Sequence, residues 1–242
     1  MTVDEKATPR KRRLAVWQET ALLLGIALVL AIVIKTFFVQ AYYIPSASME
    51  PGLIKNDRIL VQKVSYWFGG DPQRGDVIVF EDPGGWLTPE EEKSPTGVAS
   101  WLSKIGLYPS GGHLVKRVIG TAGDVIKCCD DQGRIEVNGQ PVDEDDFIAE
   151  HHGPCDGWFP GGGCEWQFGP VPDGKVFVMG DNRAHSWDSR FHTCPPDEDS
   201  CTESPFVDTD LVVGKVFSLV WPASRWTWIS RPDAFDDVPS PD

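Results

Sequence analysis

The sequence predicts a mainly β, antiparallel domain, barrel-like or sandwich-like, with a smaller β-rich subdomain and one preceding membrane-spanning helix. Three observations carry this. After residue 40 the chain breaks into short runs rich in β-branched residues, separated by turns. Asn138-Gly139 follows Ile135-Glu136-Val137, a strong signal for a two-residue hairpin turn. An apolar run begins at Ala21, continues to Ile34, and resumes with Phe37, Phe38 and Val39.

Residues 1–13 are polar and contain Arg10, Lys11, Arg12 and Arg13, which reads as a basic tail. Residues 14–40 read as the anchor. As a helix, 21–39 would span roughly 28 Å at about 1.5 Å per residue, enough for a bilayer core. Tyr42 and Tyr43 suit an interfacial aromatic belt, and the basic cluster predicts an inside N-terminus with everything after residue 40 outside. The run is long for the 7–15-residue apolar region of a cleaved signal peptide, and no good small-x-small site surrounds Ala41, so an uncleaved anchor is expected.

Residues 41–230 form the predicted external domain. Its expected strands are 58–61, 76–80, 114–119, 124–127, 134–137, 175–179 and 212–219. Two segments interrupt them. In 83–112, Thr88-Pro89-Glu90-Glu91 reads as a capping box, and Val98, Trp101, Leu102 and Ile105 share a helical face expected to pack on the core. Residues 128–175 read as an inserted subdomain, with irregular backbone around Gly161-Gly162-Gly163. Trp221, Trp226 and Trp228 form either a core edge or an interfacial patch. Residues 231–242 read as a flexible acidic tail.

The net charge of the 242 residues is −14, which argues against nucleic-acid binding. Acidic stretches such as Asp143-Glu144-Asp145-Asp146 are expected to be solvated loops. All six cysteines follow residue 127, an even count that suggests disulfides in an external domain. Cys155 with Cys164 and Cys194 with Cys201 bracket Gly- or Pro-rich loops; Cys128 and Cys129 are adjacent, and the connectivity is left open.

Chemistry concentrates in four islands. Tyr43-Ile44-Pro45-Ser46-Ala47-Ser48-Met49-Glu50-Pro51 places two serines between prolines at the exit of the anchor. Arg74-Gly75-Asp76 leads into a strand. Lys116 sits among Leu114, Val115, Val118 and Ile119, and alternation puts it on the face of Leu114 and Val118. If that face is inward, desolvation disfavours the ammonium, and a neutral amine can take a proton from a serine. The fourth island runs from Gly180-Asp181-Asn182-Arg183 through Ser186 and Asp188 to Arg190. A triad through His185 is disfavoured because His185 and Ser186 are neighbours in one loop. A zinc site from His151, His152, Cys155 and Cys164 lacks a usual spacing.

These islands, in this order after one apolar helix, resemble the bacterial type I signal peptidase (leader peptidase) family, membrane serine proteases with a Ser/Lys dyad. The resemblance covers most of residues 42–220. It implies Ser48 as nucleophile, Lys116 as general base, Ser46 as an oxyanion donor beside the Ser48 backbone N–H, and Ser186 as the group orienting the lysine amine. It also implies a charged framework of Arg117, Asp181, Arg183, Asp188 and Arg190, with Arg117 paired to Asp181. Substrate would lie as a strand between 42–45 and 113–116, where Tyr42, Ile44, Pro45, Leu53, Leu114 and Val115 would line shallow apolar pockets suited to an A-x-A cleavage motif. The implied reaction is removal of signal peptides from exported preproteins through an acyl-enzyme, with no metal or cofactor. The implied partners are the signal peptides, the lipid bilayer and the secretion translocon. The implied location is the plasma membrane with a cytoplasmic N-terminus. Gly52, Thr121-Ala122 and Ala184-His185 depart from the family pattern without removing a catalytic group. The competing readings are a membrane-anchored non-catalytic β-domain and another Ser/Lys processing protease.

Overall fold

The computed structural model describes residues 15–66, 70–87, 97, 112–149, 166–194 and 203–241, with backbone only for 35–37. The capping box at 88–91, the apolar face at 98–105, the basic tail and Cys155, Cys164 and Cys201 lie outside the described residues.

Helix α1 (Val16–Phe37) contains an 18-residue stretch, Val16–Val33, of mean hydropathy 2.1, long and apolar enough to cross a membrane. Its leucines and isoleucines are exposed, as expected for a helix whose apolar contacts come from outside the chain. The helix is shorter at its end than its sequence suggests. Val39 already belongs to strand β1 (Val39–Tyr43). That strand pairs with β2 (Arg58–Gln62), from Val39 opposite Gln62 to Tyr43 opposite Arg58. The apolar run therefore covers two elements, because Val39 suits a half-buried strand as well as a helix end.

The remaining strands are β3 (Val77–Glu81), β4 (His113–Gly120), β5 (Ile126–Cys128), β6 (Ile135–Val137), β7 (Gln140–Pro141), β8 (Trp166–Phe168), β9 (Lys175–Met179), β10 (Phe206–Asp208), β11 (Val212–Trp221) and β12 (Thr227–Trp228). The large sheet has the order β1-β2-β11-β3-β4-β9-β10, with β12 beside β11; all its pairs are antiparallel. It curls: β1 and β4 are not neighbours in that order, yet they flank one cavity. Register shifts along β11 and between Val118 and Gly120 of β4 supply the bends. The small antiparallel sheet has the order β7-β6-β5-β8 and begins at Ile126, two residues before the stretch 128–175. Asn138 and Gly139 turn its hairpin with positive φ of 53° and 77°, the conformation for which Asn-Gly is suited. Cys128 and Cys129 form a vicinal disulfide, and Cys194 is also disulfide-bonded.

Three apolar clusters result. One joins the small sheet to β4 and β9 through Ile119, Ile126, Val137 and Phe177. A second lies between β1, β2, β3 and β11. The third covers the other face of β3, β4 and β9 through Phe80, Leu114, Val118 and Trp86.

Two expectations are overturned here. The C-terminal segment is docked. Phe235 and Val238 are buried in the first cluster. Arg74 donates to the Val238 and Pro239 carbonyls at 3.1 Å each, while its other contacts hold Asp124. Asn138 also donates to the Pro239 carbonyl at 3.0 Å. Two apolar residues are enough to fix a tail whose composition otherwise reads as solvated. Nor is the whole acidic stretch 143–146 solvated. Glu144 is buried and receives both terminal nitrogens of Arg183, whereas Asp143, Asp145 and Asp146 stay exposed.

Candidate active site

Between β1 and β4 lies a cleft of about 460 Å³, lined by Tyr42, Ile44, Pro45, Ser46, Ser48, Met49, Leu114, Val115 and Lys116, and on its far wall by Trp86, Leu87, His185 and Trp187. β1 is an edge strand of its sheet. β9 pairs with β4 only through Arg117, Val118 and Gly120, so residues 113–116 pair with β3 on one edge and leave the other edge open to the cleft. Strand order alternates direction from β1 through β2, β11 and β3 to β4, so β1 and β4 run parallel across the cleft. Two open strand edges bordering one cleft are the kind of arrangement to which an extended peptide can add.

The serines sit where the chain leaves β1. Ile44 exchanges both backbone bonds with the 56–57 turn, fixing the start of the segment: its N–H donates to the Asp57 carbonyl and its carbonyl accepts from Asn56, each at 2.9 Å. The Asp57 carboxylate in turn accepts from the Ile54 N–H at 2.8 Å and from Arg225. The Ser46 and Ser48 hydroxyl oxygens are 3.3 Å apart, in hydrogen-bond contact. Ser48 is 6 % exposed and its carbonyl accepts from the Asn182 N–H at 3.0 Å, which ties the first island to the fourth.

Lys116 is 4 % exposed and lies in register with Ile78 on the face of Leu114 and Val118. That face is the inward one, and the Lys116 amine is close enough to Asp188 for the two to interact electrostatically. Above it lies the fourth island. Ser186 is buried, and its hydroxyl oxygen makes no hydrogen bond among the described residues. Gly180 makes this approach possible: a Cβ there would overlap both the Ser48 carbonyl oxygen and the Ser186 hydroxyl. The crowding comes both from Ser186 in the same loop and from Ser48 in a distant segment, and the second is invisible to any local pattern.

The charges form a scaffold beneath the cleft. Arg117 makes a two-pronged bond to Asp181 (2.8 and 2.7 Å), donates to the Gly75 carbonyl at 2.9 Å, and lies 4.4 Å over the Phe147 ring. Arg190 grips Asp188 at 2.9 and 3.0 Å, and Asp188 accepts from the Gly180 N–H at 3.0 Å. Burial works against ionisation of Asp188, but Arg190, Lys116 and the Gly180 N–H outweigh it and hold the carboxyl at about 2. Arg183 pairs with Glu144 and also donates to the Gly180 carbonyl at 3.0 Å.

Leu53 stands apart from its expected place. The turn closed by its N–H to the Met49 carbonyl points its side chain into the second cluster, beside a separate pocket with Arg117 and Trp228. His185 is exposed and contacts Asn182 Oδ1 through Nδ1 at 3.2 Å, directed away from a serine relay. Among the described residues no group of three or more His, Cys, Asp or Glu could hold a metal ion.

Paired hydroxyls, a buried amine and two strand edges border one cleft, an arrangement suited to a peptidase. The chain belongs to the signal peptidase family, peptidase S26, whose model matches residues 17–221. It is 43% identical to the signal peptidase I of Mycobacterium tuberculosis over 92% of this chain and 80% of that one. It is 40% identical to a probable signal peptidase I of Mycobacterium leprae over 89% and 80%. A solved signal peptidase I from Enterococcus faecalis aligns with 60% of this chain and 95% of its own, at a TM-score of 0.33 and 23% identity.

Proposed function

We propose that this chain removes signal peptides from exported preproteins, cutting after small residues with a Ser48/Lys116 dyad. The observation that carries the reading is that Ser48, in the turn after β1, and Lys116, in β4, are both buried and both line one cleft between strand edges. The peptide adds between β1 and residues 113–116 and presents its scissile carbonyl to Ser48. Lys116 Nζ takes the Ser48 proton as Oγ attacks. The Ser48 backbone N–H and the Ser46 hydroxyl donate to the oxyanion. The tetrahedral species collapses, the amine leaves with the proton from Lys116, and an ester to Ser48 remains. Water, activated by Lys116, hydrolyses it. Ser186, whose buried hydroxyl makes no other bond among the described residues, is the group that turns to the amine during the reaction. Tyr42, Ile44, Met49 and Val115 line the cleft and would receive the small side chains of an A-x-A motif.

α1 anchors this chemistry in the plasma membrane, with the basic N-terminal tail cytoplasmic and the sheets outside. The passage from Phe37 to β1 without a linker supports this, since it holds the cleft close to the bilayer surface. The exposed Trp221, Trp226 and Trp228 side chains suit contact with lipid headgroups. A translocon delivering preproteins to the same surface completes the partner set.

The test is processing of a synthetic preprotein by the detergent-solubilised protein, with the cut site identified. Ser48→Ala and Lys116→Ala are expected to abolish processing while the thermal unfolding midpoint is retained. Ser46→Ala is expected to slow turnover about 10²–10³-fold, the usual effect of losing one oxyanion donor. Full activity in Lys116→Ala would sink the dyad, and so would inertness of Ser48 toward a serine-acylating inhibitor, which favours a non-catalytic domain.

A further inference from the structure

A strand laid along β1 and residues 113–116 turns alternate side chains to opposite faces of the sheet. One face of the cleft is that of Tyr42, Ile44, Met49 and Val115, where the small residues of the motif go. The other face is that of Leu114 and Lys116, and its wall is different in kind. Trp86, Leu87 and Trp187 line it. The Trp86 ring stacks on His192 at 4.1 Å and 6°, and meets Phe80 edge-on at 5.9 Å. Trp187 stands edge-on to the same His192 at 5.7 Å and stacks on Phe191 at 4.8 Å and 13°. The turn that delivers Trp86 is held by Asp82, whose carboxylate accepts from the N–H groups of Gly84, Trp86 and Leu87 at 3.0, 3.1 and 3.3 Å.

Trp86 is buried, but Trp187 is 52 % exposed at the cleft. A large indole left in water, yet fixed by two ring contacts, is pre-organised to bury apolar surface at little entropic cost. We propose that this aromatic wall is a subsite for the middle residue of the small-x-small triplet, that it prefers a bulky apolar or aromatic side chain, and that Trp187 is its contact residue. The proposal rests on the strand-addition reading above. It assigns a selectivity to a position between two residues that must be small, and gives a role to the Trp86 end of the segment that begins at residue 83.

The test uses the full-length protein in detergent and three signal-peptide substrates that differ only at the middle position: Ala-Gly-Ala, Ala-Leu-Ala and Ala-Phe-Ala. The readout is the ratio of kcat/KM for the Phe peptide to that for the Gly peptide, which does not depend on the fraction of active enzyme. The wild-type ratio is expected to be roughly tenfold, the scale for half-burying an aromatic side chain. Trp187→Ala should bring it below about twofold, and Trp187→Phe should keep at least half of it. A wild-type ratio near one overturns the subsite. So does a ratio unchanged in Trp187→Ala, including an equal loss on both peptides, which would mark a purely structural tryptophan. Cleavage of none of the three peptides overturns the strand-addition reading, and the subsite with it.

Discussion

His192 is a buried imidazole between two indoles, and its pH behaviour follows from that position. Burial pushes its pKa down to about 4, against the attraction of Asp188 and Asp82 and with the help of Lys116; Glu203 stands 3.8 Å from Nδ1. The unfolded chain protonates this ring below about pH 6.5, while the folded protein resists until about pH 4. Over that window the unfolded state binds more protons, so stability rises with pH and is lost on acidification. The loss between pH 7 and 4.5 should be about 2–3 kcal/mol. His192→Gln should remove most of it in urea unfolding at the two pH values. Asp188, held at about 2, and Asp124, whose burial is outweighed by bonds from Arg74, Thr121 and Asn138, titrate below this window and leave the comparison clean. An identical acid loss in both proteins would remove His192 from the account. None of this was legible in the sequence. His192 is only one of five histidines there, and its environment depends on Trp86 arriving from another segment. Ser48, Lys116 and Ser186 were singled out by the ordered set of motifs and the family resemblance it carries, not by any one segment, while strand alternation told which residues share the buried face of Lys116.

At the level of elements, strands rich in β-branched residues and bounded by turns were readable, as β3, β4 and β9 show. Strands of two or three residues, such as β8, β10 and β12, carry too few alternations to signal themselves. β1 was hidden by its neighbour, since one apolar run served both helix and strand. The C-terminal segment was misread because burial at two positions is invisible to composition. It matters to the site. Phe235 packs on Phe147 at 6.0 Å between ring centroids, and Phe147 lies under Arg117, the partner of Asp181. Phe235→Ala leaves a cavity in a shared core and should cost about 3 kcal/mol. That corresponds to a fall of about 6–12 °C in the unfolding midpoint for a domain of this size. A shift below 2 °C would show that the segment merely rests on the surface.

For the whole molecule, the question is what the helix contributes. The side chains of α1 described here are exposed, and the helix makes its main contacts with β1, the strand that follows it. The sheets close their own cores without it, and the Lys63 N–H to Phe38 carbonyl bond at 3.0 Å holds the first residue beyond it. On the proposed reading, the helix would position the cleft at a membrane without stabilising it. Removal of residues 1–37 should leave the unfolding midpoint within about 2 °C, since a surface change away from buried contacts rarely moves stability further. Cleavage of a short soluble peptide should persist within about twofold. Processing of a preprotein held in vesicles should fall about 10²-fold, because enzyme and substrate no longer share one surface and the effective concentration from that confinement is lost. The decisive comparison is kcat/KM on both substrates for the same two proteins. Loss of soluble-peptide cleavage would mean that the helix shapes the cleft, and undiminished preprotein processing would mean that anchoring plays no part in presenting the substrate.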